Sequence, residues 1–294
     1  MMDYKGLEAL NAVLEKQNFE AAADHLCITQ SAISQRIRAL QNYYGDPILI
    51  KKLPYRPTKL GEKLITHYKK VTTLENEVIG ELSDKGSQFH FSIALSRDML
   101  ETWFMSVMND SDIFQNNRIA IITDDQDLTI NYLQQGVVTA CFSTSKKALP
   151  NCNAFYIGDM RYVMVASPKF QQKYFKSRDV KHDLIEAPAI IFDKNDDLHD
   201  NFLEKYFGIE YLSDNYYIMP SVQGFRKYVM NGFAYALIPK INIVNELEKG
   251  DLINLFPDKI WDMQVYLHHW MFGHKRYDQI VQKLVKRCST LLKI

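Results

Sequence analysis

Residues 18–60 read NFEAAADHLCITQSAISQRIRALQNYYGDPILIKKLPYRPTKL, and the first half of that stretch predicts two helices joined by a three-residue turn. Asn18 offers a side-chain acceptor to cap the first helix, whose inner face carries Phe19, Ala23 and Leu26; Cys27, Ile28 and Thr29 make the connection. In the second helix Ile33, Ile37 and Leu40 recur at spacings of four and three, one buried stripe at about 100° per residue. Ser31, Ser34, Gln35 and Arg38 gather on the opposite side. A polar outer face is by itself what any solvated amphipathic helix shows. Charge separates the two readings. Between residues 27 and 59 six basic side chains (Arg36, Arg38, Lys51, Lys52, Arg56, Lys59) stand against one acid, Asp46, in a chain whose 35 basic and 35 acidic residues cancel. A local excess of that kind is what phosphate neutralisation requires, and short hydroxyls and amides on the second helix suit the donor and acceptor code of the major groove.

Working outward, residues 7–14 place Leu7, Leu10, Val13 and Leu14 inward as a third, scaffolding helix. Gly45 closes the recognition helix, residues 48–50 form a strand, and residues 53–57 form a turn flanked by Lys51, Lys52 and Arg56: a wing whose cations meet phosphates. Specificity is therefore expected from Gln30, Ser31, Ser34 and Gln35, with Arg36, Arg38, Lys51, Lys52, Arg56 and Thr58 on the phosphates. Thr58 also caps a long helix running to about residue 82, in which Leu60, Leu64, Tyr68, Val71, Leu74 and Val78 form a near-heptad seam. A second copy of the chain is the expected cover, the chain's own small domain the alternative. Gly61, costly inside a helix, points to a close approach of two backbones.

The 294 residues, 47% hydrophobic and 24% charged, have the composition of a globular protein, and a neutral total argues against a protein that coats nucleic acid along its whole surface. The first residues lack the apolar core of a secretory signal, and no apolar run approaches the roughly 18 residues of a membrane span, so a cytoplasmic location without membrane contact is expected. Cys27, Cys141, Cys152 and Cys288 form no CxxC pair and are expected as buried thiols.

Residues 83–87 are a polar break. Beyond it strands and helices alternate: strands at 89–95, 119–122, 137–142, 162–166, 189–192, 216–219, 233–238 and 265–269, with helical stripes such as Met99, Leu100, Trp103, Phe104 and Val107 between them. That rhythm predicts βαβ units and a mostly parallel sheet, and its length predicts two lobes. The expected organisation is α/β and multidomain. A winged helix-turn-helix domain occupies 1–58 and a linker helix 59–83. An effector domain occupies 88–294, with lobe I at 88–160 plus 266–294 and lobe II at 161–265.

Phe19-Glu20, Ala22-Ala23, Leu26, Thr29-Gln30-Ser31-Ala32-Ile33-Ser34, Ile37, Leu40, Gly45, Pro47-Ile48-Leu49, Pro57-Thr58 and Gly61 resemble the winged helix-turn-helix of LysR-type transcriptional regulators. The unbroken run from Leu26 to Ile37 is similar to that of the ArgP subgroup, regulators of basic amino-acid transport also described as inhibitors of chromosome initiation. Ala21, Gln41 and Lys51 depart from the residues usual in the family. Residues 229–239 and 247–252 resemble the effector-binding half of the same family, which is similar to type 2 periplasmic binding proteins. The resemblance implies duplex DNA, a small-molecule effector (lysine or arginine), a homodimer or homotetramer and RNA polymerase as partners, no cofactor and no enzyme activity.

Open parallel sheets bind ligands beyond the carboxyl ends of their strands, where helix N-termini offer amides to anions. Three stretches are placed for this: Ser96-Arg97-Asp98, Ser143-Thr144 with Ser145, and Ser221-Val222 with Gln223. Each serine is equally explained as an ordinary cap. A cationic effector also needs a carboxylate, and Asp98, Asp124, Asp125 and Asp193 lie near strand ends; Arg97 in the same cleft would favour an anion. Two other readings compete. One is a small-molecule-binding protein without DNA affinity; the other is a serine acyl-enzyme using Ser143 and Lys146 (S-x-x-K) with Ser213-Asp214-Asn215 (S-D-N), for which K-T-G is missing. His268, His269 and His274 are expected to be structural, since neighbours on a strand point to opposite faces.

Overall fold

The structure, a computed structural model, describes residues 2–82, 89–109, 111–114, 117–192, 197–210, 214–273 and 275–292. Asp193, Ser213, His274 and the side chain of Val78 lie outside the described residues. The chain divides into two compact units: Met1–Leu95, Ser111–Ala154 and Leu267–Val281 form the first, and Ser96–Asp110, Phe155–Tyr266 and Gln282–Ile294 the second.

The first unit begins with α1 (Tyr4–Lys16), α2 (Phe19–His25) and α3 (Gln30–Tyr44), then the antiparallel pair β1 (Leu49–Ile50) and β2 (Arg56–Pro57), then α4 (Lys59–Leu82). The caps follow the local chemistry. The Asn18 side chain accepts the Glu20 and Ala21 N–H groups, Thr29 accepts that of Ala32, and Gly45 ends α3 at φ 76°. Leu7, Leu10, Val13, Ala22, Ala23, Ile33, Ile37, Leu40 and Ile48 are buried together. At about 1.5–3 kcal/mol for each large side chain, this core outweighs the weak propensity of a seven-residue helix such as α2.

Leu64 and Ile65 of α4 belong to that same core, with Leu60 and Tyr68 packed against it. The seam read along α4 is therefore covered by its own domain over its first three positions; Leu74 is exposed and Val71 half-buried. Gly61 meets a backbone of its own chain: a Cβ there would lie 2.0 Å from the Ile48 carbonyl oxygen. Cys27 corrects the expectation of four buried thiols. It occupies the left-handed turn between α2 and α3 at φ 53° and is exposed, whereas Cys141, Cys152 and Cys288 are buried.

Beyond residue 88 the order is β3 (Phe89–Ser96), α5 (Arg97–Met99), a π turn (Leu100–Phe104), α6 (Met105–Val107), α7 (Ser111–Phe114), β4 (Asn117–Asp124), α8 (Thr129–Gln134) and β5 (Ala140–Ser143). Then come β6 (Cys152–Ala166), α9 (Pro168–Tyr174), α10 (Val180–Glu186), β7 (Ala189–Ile191), α11 (Leu198–Phe207), β8 (Tyr216–Ile218) and α12 (Val222–Met230). The last elements are β9 (Ala236–Pro239), a 3-10 turn (Lys240–Asn242), α13 (Val244–Lys249), β10 (Ile253–Asn254), β11 (Trp261–Trp270) and α14 (Lys275–Leu292). The stripe Met99, Trp103, Phe104, Val107 is buried as expected, although a π turn lies in its middle.

In the first unit β3 runs parallel to β5, Ile93 opposite Ala140. In the second, β7 runs parallel to β8, but β6 pairs antiparallel with both β9 and β10. The strand pairing is thus mixed where a mostly parallel sheet was expected. The reason is β6, a 15-residue strand of which residues 162–166 are only the last third; its uninterrupted buried end accepts two returning strands. Val163, Val165, Ile190, Val229, Ala234, Ala236 and Ile238 close the core of this unit.

Candidate DNA interface and effector cavity

On α3, Gln30, Ser31, Gln35 and Arg38 are exposed and Ser34 is half-buried, while Ile33, Ile37 and Leu40 turn inward. The structure thus brings the expected base-reading side chains to one solvent-facing side of one helix. Ser31 is already oriented, its hydroxyl 2.9 Å from that of Thr29. The phosphate set divides. Lys51, Lys52, Arg38 and Arg56 are exposed, but Arg36 reaches toward Glu8 of α1, 3.9 Å away. Thr58 is engaged locally: its hydroxyl donates to the Pro47 carbonyl at 2.7 Å and accepts from the Gly61 N–H at 3.2 Å. Sequence reasoning missed Gln17. In a left-handed conformation at the end of α1, it donates through Nε2 to the Tyr55 carbonyl and accepts the Tyr55 N–H through Oε1, holding the wing turn against α1.

The second unit contains a cavity of about 530 Å³, within the size range of small-molecule sites. Asp98, Glu101 and Met105 line it from the helical stretch after β3, Ser221, Val222 and Arg226 from the start of α12, Tyr162 from β6, and Asn242 from the 3-10 turn after β9. Ser96 and Ser221 are helix caps, accepting the N–H groups of Met99 and Gly224. The Tyr162 hydroxyl donates to an Asp98 carboxylate oxygen at 3.2 Å, orienting that carboxylate. Asn242 Nδ2 is buried without a hydrogen-bond partner among the described residues, and a buried donor of this kind ordinarily has an acceptor. Arg97 is turned to other duties, donating to the Pro220 carbonyl at 3.2 Å with its guanidinium over the Phe192 ring.

Asp98, Ser221 and Val222 are therefore brought together, and Asp124, Asp125, Ser143 and Thr144 belong to the first unit. There the acids at and just after the end of β4 are hydrogen-bonded within the unit. Asp124 accepts the Tyr132 hydroxyl at 2.6 Å, which raises the tyrosine's pKa; Asp125 accepts the Asp127 N–H, and Asp127 accepts the Thr144 hydroxyl. Ser143 is a correction to the expected set of helix N-termini: no helix opens after β5, and its hydroxyl, 1% exposed as a residue, accepts the Ser145 N–H in a turn. That burial also leaves Ser143 badly placed as a nucleophile. His268 and His269 are buried, hydrogen-bonded to the Ser145 and Trp270 carbonyls, and burial lowers both pKa values.

Glu101, Met105, Tyr162, Arg226 and Asn242 were not anticipated. Glu101 lies one helical turn from Asp98 and could have been found by that spacing. Asn242 follows β9 in a 3-10 turn that carries no strong sequence signal.

Residues 4–62 match the bacterial regulatory helix-turn-helix proteins of the lysR family, and residues 86–270 match the LysR substrate binding domain. The chain is 35% identical over 287 residues to the HTH-type transcriptional regulator ArgP of Photobacterium profundum, covering 97% of this chain and 96% of the relative. Among solved structures it is similar to ArgP from Mycobacterium tuberculosis (TM-score 0.88, 26% identity, 98% of each chain). It is also similar to full-length LysG from Corynebacterium glutamicum with bound effector Arg (TM-score 0.81, 25% identity, 98% of each chain).

Proposed function

The chain belongs to the lysR family of bacterial helix-turn-helix regulators, DNA-binding proteins with an effector-binding domain, and we propose that its effector is a basic amino acid, arginine or lysine, held in the cavity of the second unit. The observation that carries this reading is the charge arrangement of that cavity. Two carboxylates, Asp98 and Glu101, stand on one helical stretch, and the capped start of α12 lines the same space. A cationic side chain is stabilised by the former and an α-carboxylate by the amides of the latter and by the Asn242 donor, which has no partner among the described residues. Arginine bound to LysG supports the same chemistry.

In this reading Gln30, Ser31, Ser34 and Gln35 read base edges, Arg38, Lys51, Lys52 and Arg56 hold phosphates, and no chemical step takes place. The protein works in the cytoplasm as a homodimer or homotetramer, with Val71 and Leu74 of α4 left to meet a second copy and RNA polymerase as a further partner. Effector binding shifts the population of conformers that present the recognition helices to DNA. Titration calorimetry of the full chain with arginine, lysine, citrulline and glutamate tests this: heat with the first two, at least about tenfold tighter than with the others, is expected from one unit charge. Silence for both basic amino acids defeats it, and so does Asp98→Asn binding arginine as tightly as the parent.

A further inference from the structure

Among the described residues that line the cavity Arg226 is the basic one, and it stands in the same space as Asp98 and Glu101. Its Nη2 is hydrogen-bonded to Glu246 Oε1 of α13. The two partners differ sharply in exposure: the Arg226 side chain is 47% exposed and that of Glu246 only 9%. Glu246 is also fixed through its helix, between Ile243 and Leu247 of the hydrophobic core, and its backbone carbonyl accepts the Leu252 N–H. The buried carboxylate thus sets where the more exposed guanidinium sits.

A guanidinium free to turn into this cavity would oppose its purpose. It would repel a cationic effector side chain, pair with Asp98 or Glu101 in place of the effector, and offer a fork to an acidic ligand. We propose that Glu246 is a specificity determinant: it retains Arg226, cancels that residue's positive charge, and lets Asp98 and Glu101 favour a cationic effector over a neutral one of the same shape. Glu246 is a positioning residue, acting through Arg226 without touching the effector. The proposal rests on the basic amino-acid reading of the cavity, and its test separates the two.

The readout is the ratio of arginine to citrulline affinity, since citrulline has nearly the same shape without the charge. Calorimetry is run on the full chain as parent, as Glu246→Gln, and as the double variant Glu246→Gln/Arg226→Gln, with thermal unfolding of each. In Glu246→Gln the released guanidinium is expected to lower the ratio about tenfold and to strengthen glutamate binding. In the double variant the Arg226 guanidinium is no longer there to be released, so the ratio is expected to stay within about threefold of the parent. That second result holds the test open even where the single variant unfolds. A folded Glu246→Gln variant with an unchanged ratio overturns the proposal and leaves the effector reading standing. So does a double variant whose ratio rises about tenfold, which would mean that Arg226 had acted as an unmasked charge, or one that loses both ligands, which would make Arg226 an effector contact. A parent chain that binds neither arginine nor lysine overturns both.

Discussion

Gln17 and the backbone of Tyr55 form a two-point clamp, with the Gln17 Oε1 accepting the Tyr55 N–H at 2.6 Å and its Nε2 donating to the Tyr55 carbonyl at 3.0 Å. Phe19 adds an edge-on ring contact to Tyr55 at 5.4 Å. The turn that carries Arg56 is thereby fixed to the end of α1, 38 residues earlier in the chain.

Gln17→Ala removes both hydrogen bonds and leaves a partly buried N–H without its acceptor, a loss of about 1–2 kcal/mol. Urea unfolding of the full chain should show it. The loosened wing should also weaken binding to random duplex DNA, because a phosphate contact on a mobile turn costs more ordering entropy. Unchanged unfolding together with unchanged DNA affinity would show the clamp to be incidental.

The exposed face of α3 and the wing should differ in what they contribute. Gln35→Ala is expected to reduce discrimination between operator and random duplex by about 1–3 kcal/mol. Arg56→Ala should weaken both duplexes nearly equally and lower the salt slope by about one. Electrophoretic or fluorescence titrations over a salt series read both quantities. Equal losses of discrimination in the two variants would contradict this division of labour.

His199, 3% exposed on α11, has its Nε2 buried without a partner among the described residues, and burial pushes its pKa down to about 4 from an ordinary 6.5. The folded state thus holds the ring neutral while the unfolded chain takes up a proton below pH 6.5. Its contribution is fully present above that pH and is lost as pH falls toward about 4, up to roughly 3 kcal/mol. His199→Leu should flatten the fall in stability between pH 6.5 and pH 4, measured by urea midpoints at several pH values. Parallel pH profiles for the parent and the variant would exclude His199 as a source of acid sensitivity.

Much of the first unit was legible in the chain because its signals are local. Asn18 and Gly45 occupy the cap positions read from residue type, Thr29, read only as part of the connection, caps α3, and the stripe Ile33, Ile37, Leu40 is buried where its period placed it. These depend on contacts within a few residues, which helix geometry dictates. The seam along α4 shows the limit: periodicity told that Leu60, Leu64 and Tyr68 need a cover, and the fold supplied one from their own domain. The reading of Gly61 needed the Ile48 carbonyl, which arrives from the residue just before β1.

The sequence by itself determined the helix-turn-helix, the cluster of cations around it, the long helix, and an alternating α/β half behind it, since each is written in spacing or composition over a short window. Tertiary structure decided which of the candidate acids and serines share a cavity. It selected Asp98 with Ser221 and Val222, added Glu101 and Asn242, and placed Glu246, 20 residues along the chain, against Arg226. The physical reason is that a binding site is a sum of charges and donors at distances of a few ångströms, and such distances between residues far apart in the chain are set only when strands and helices pack.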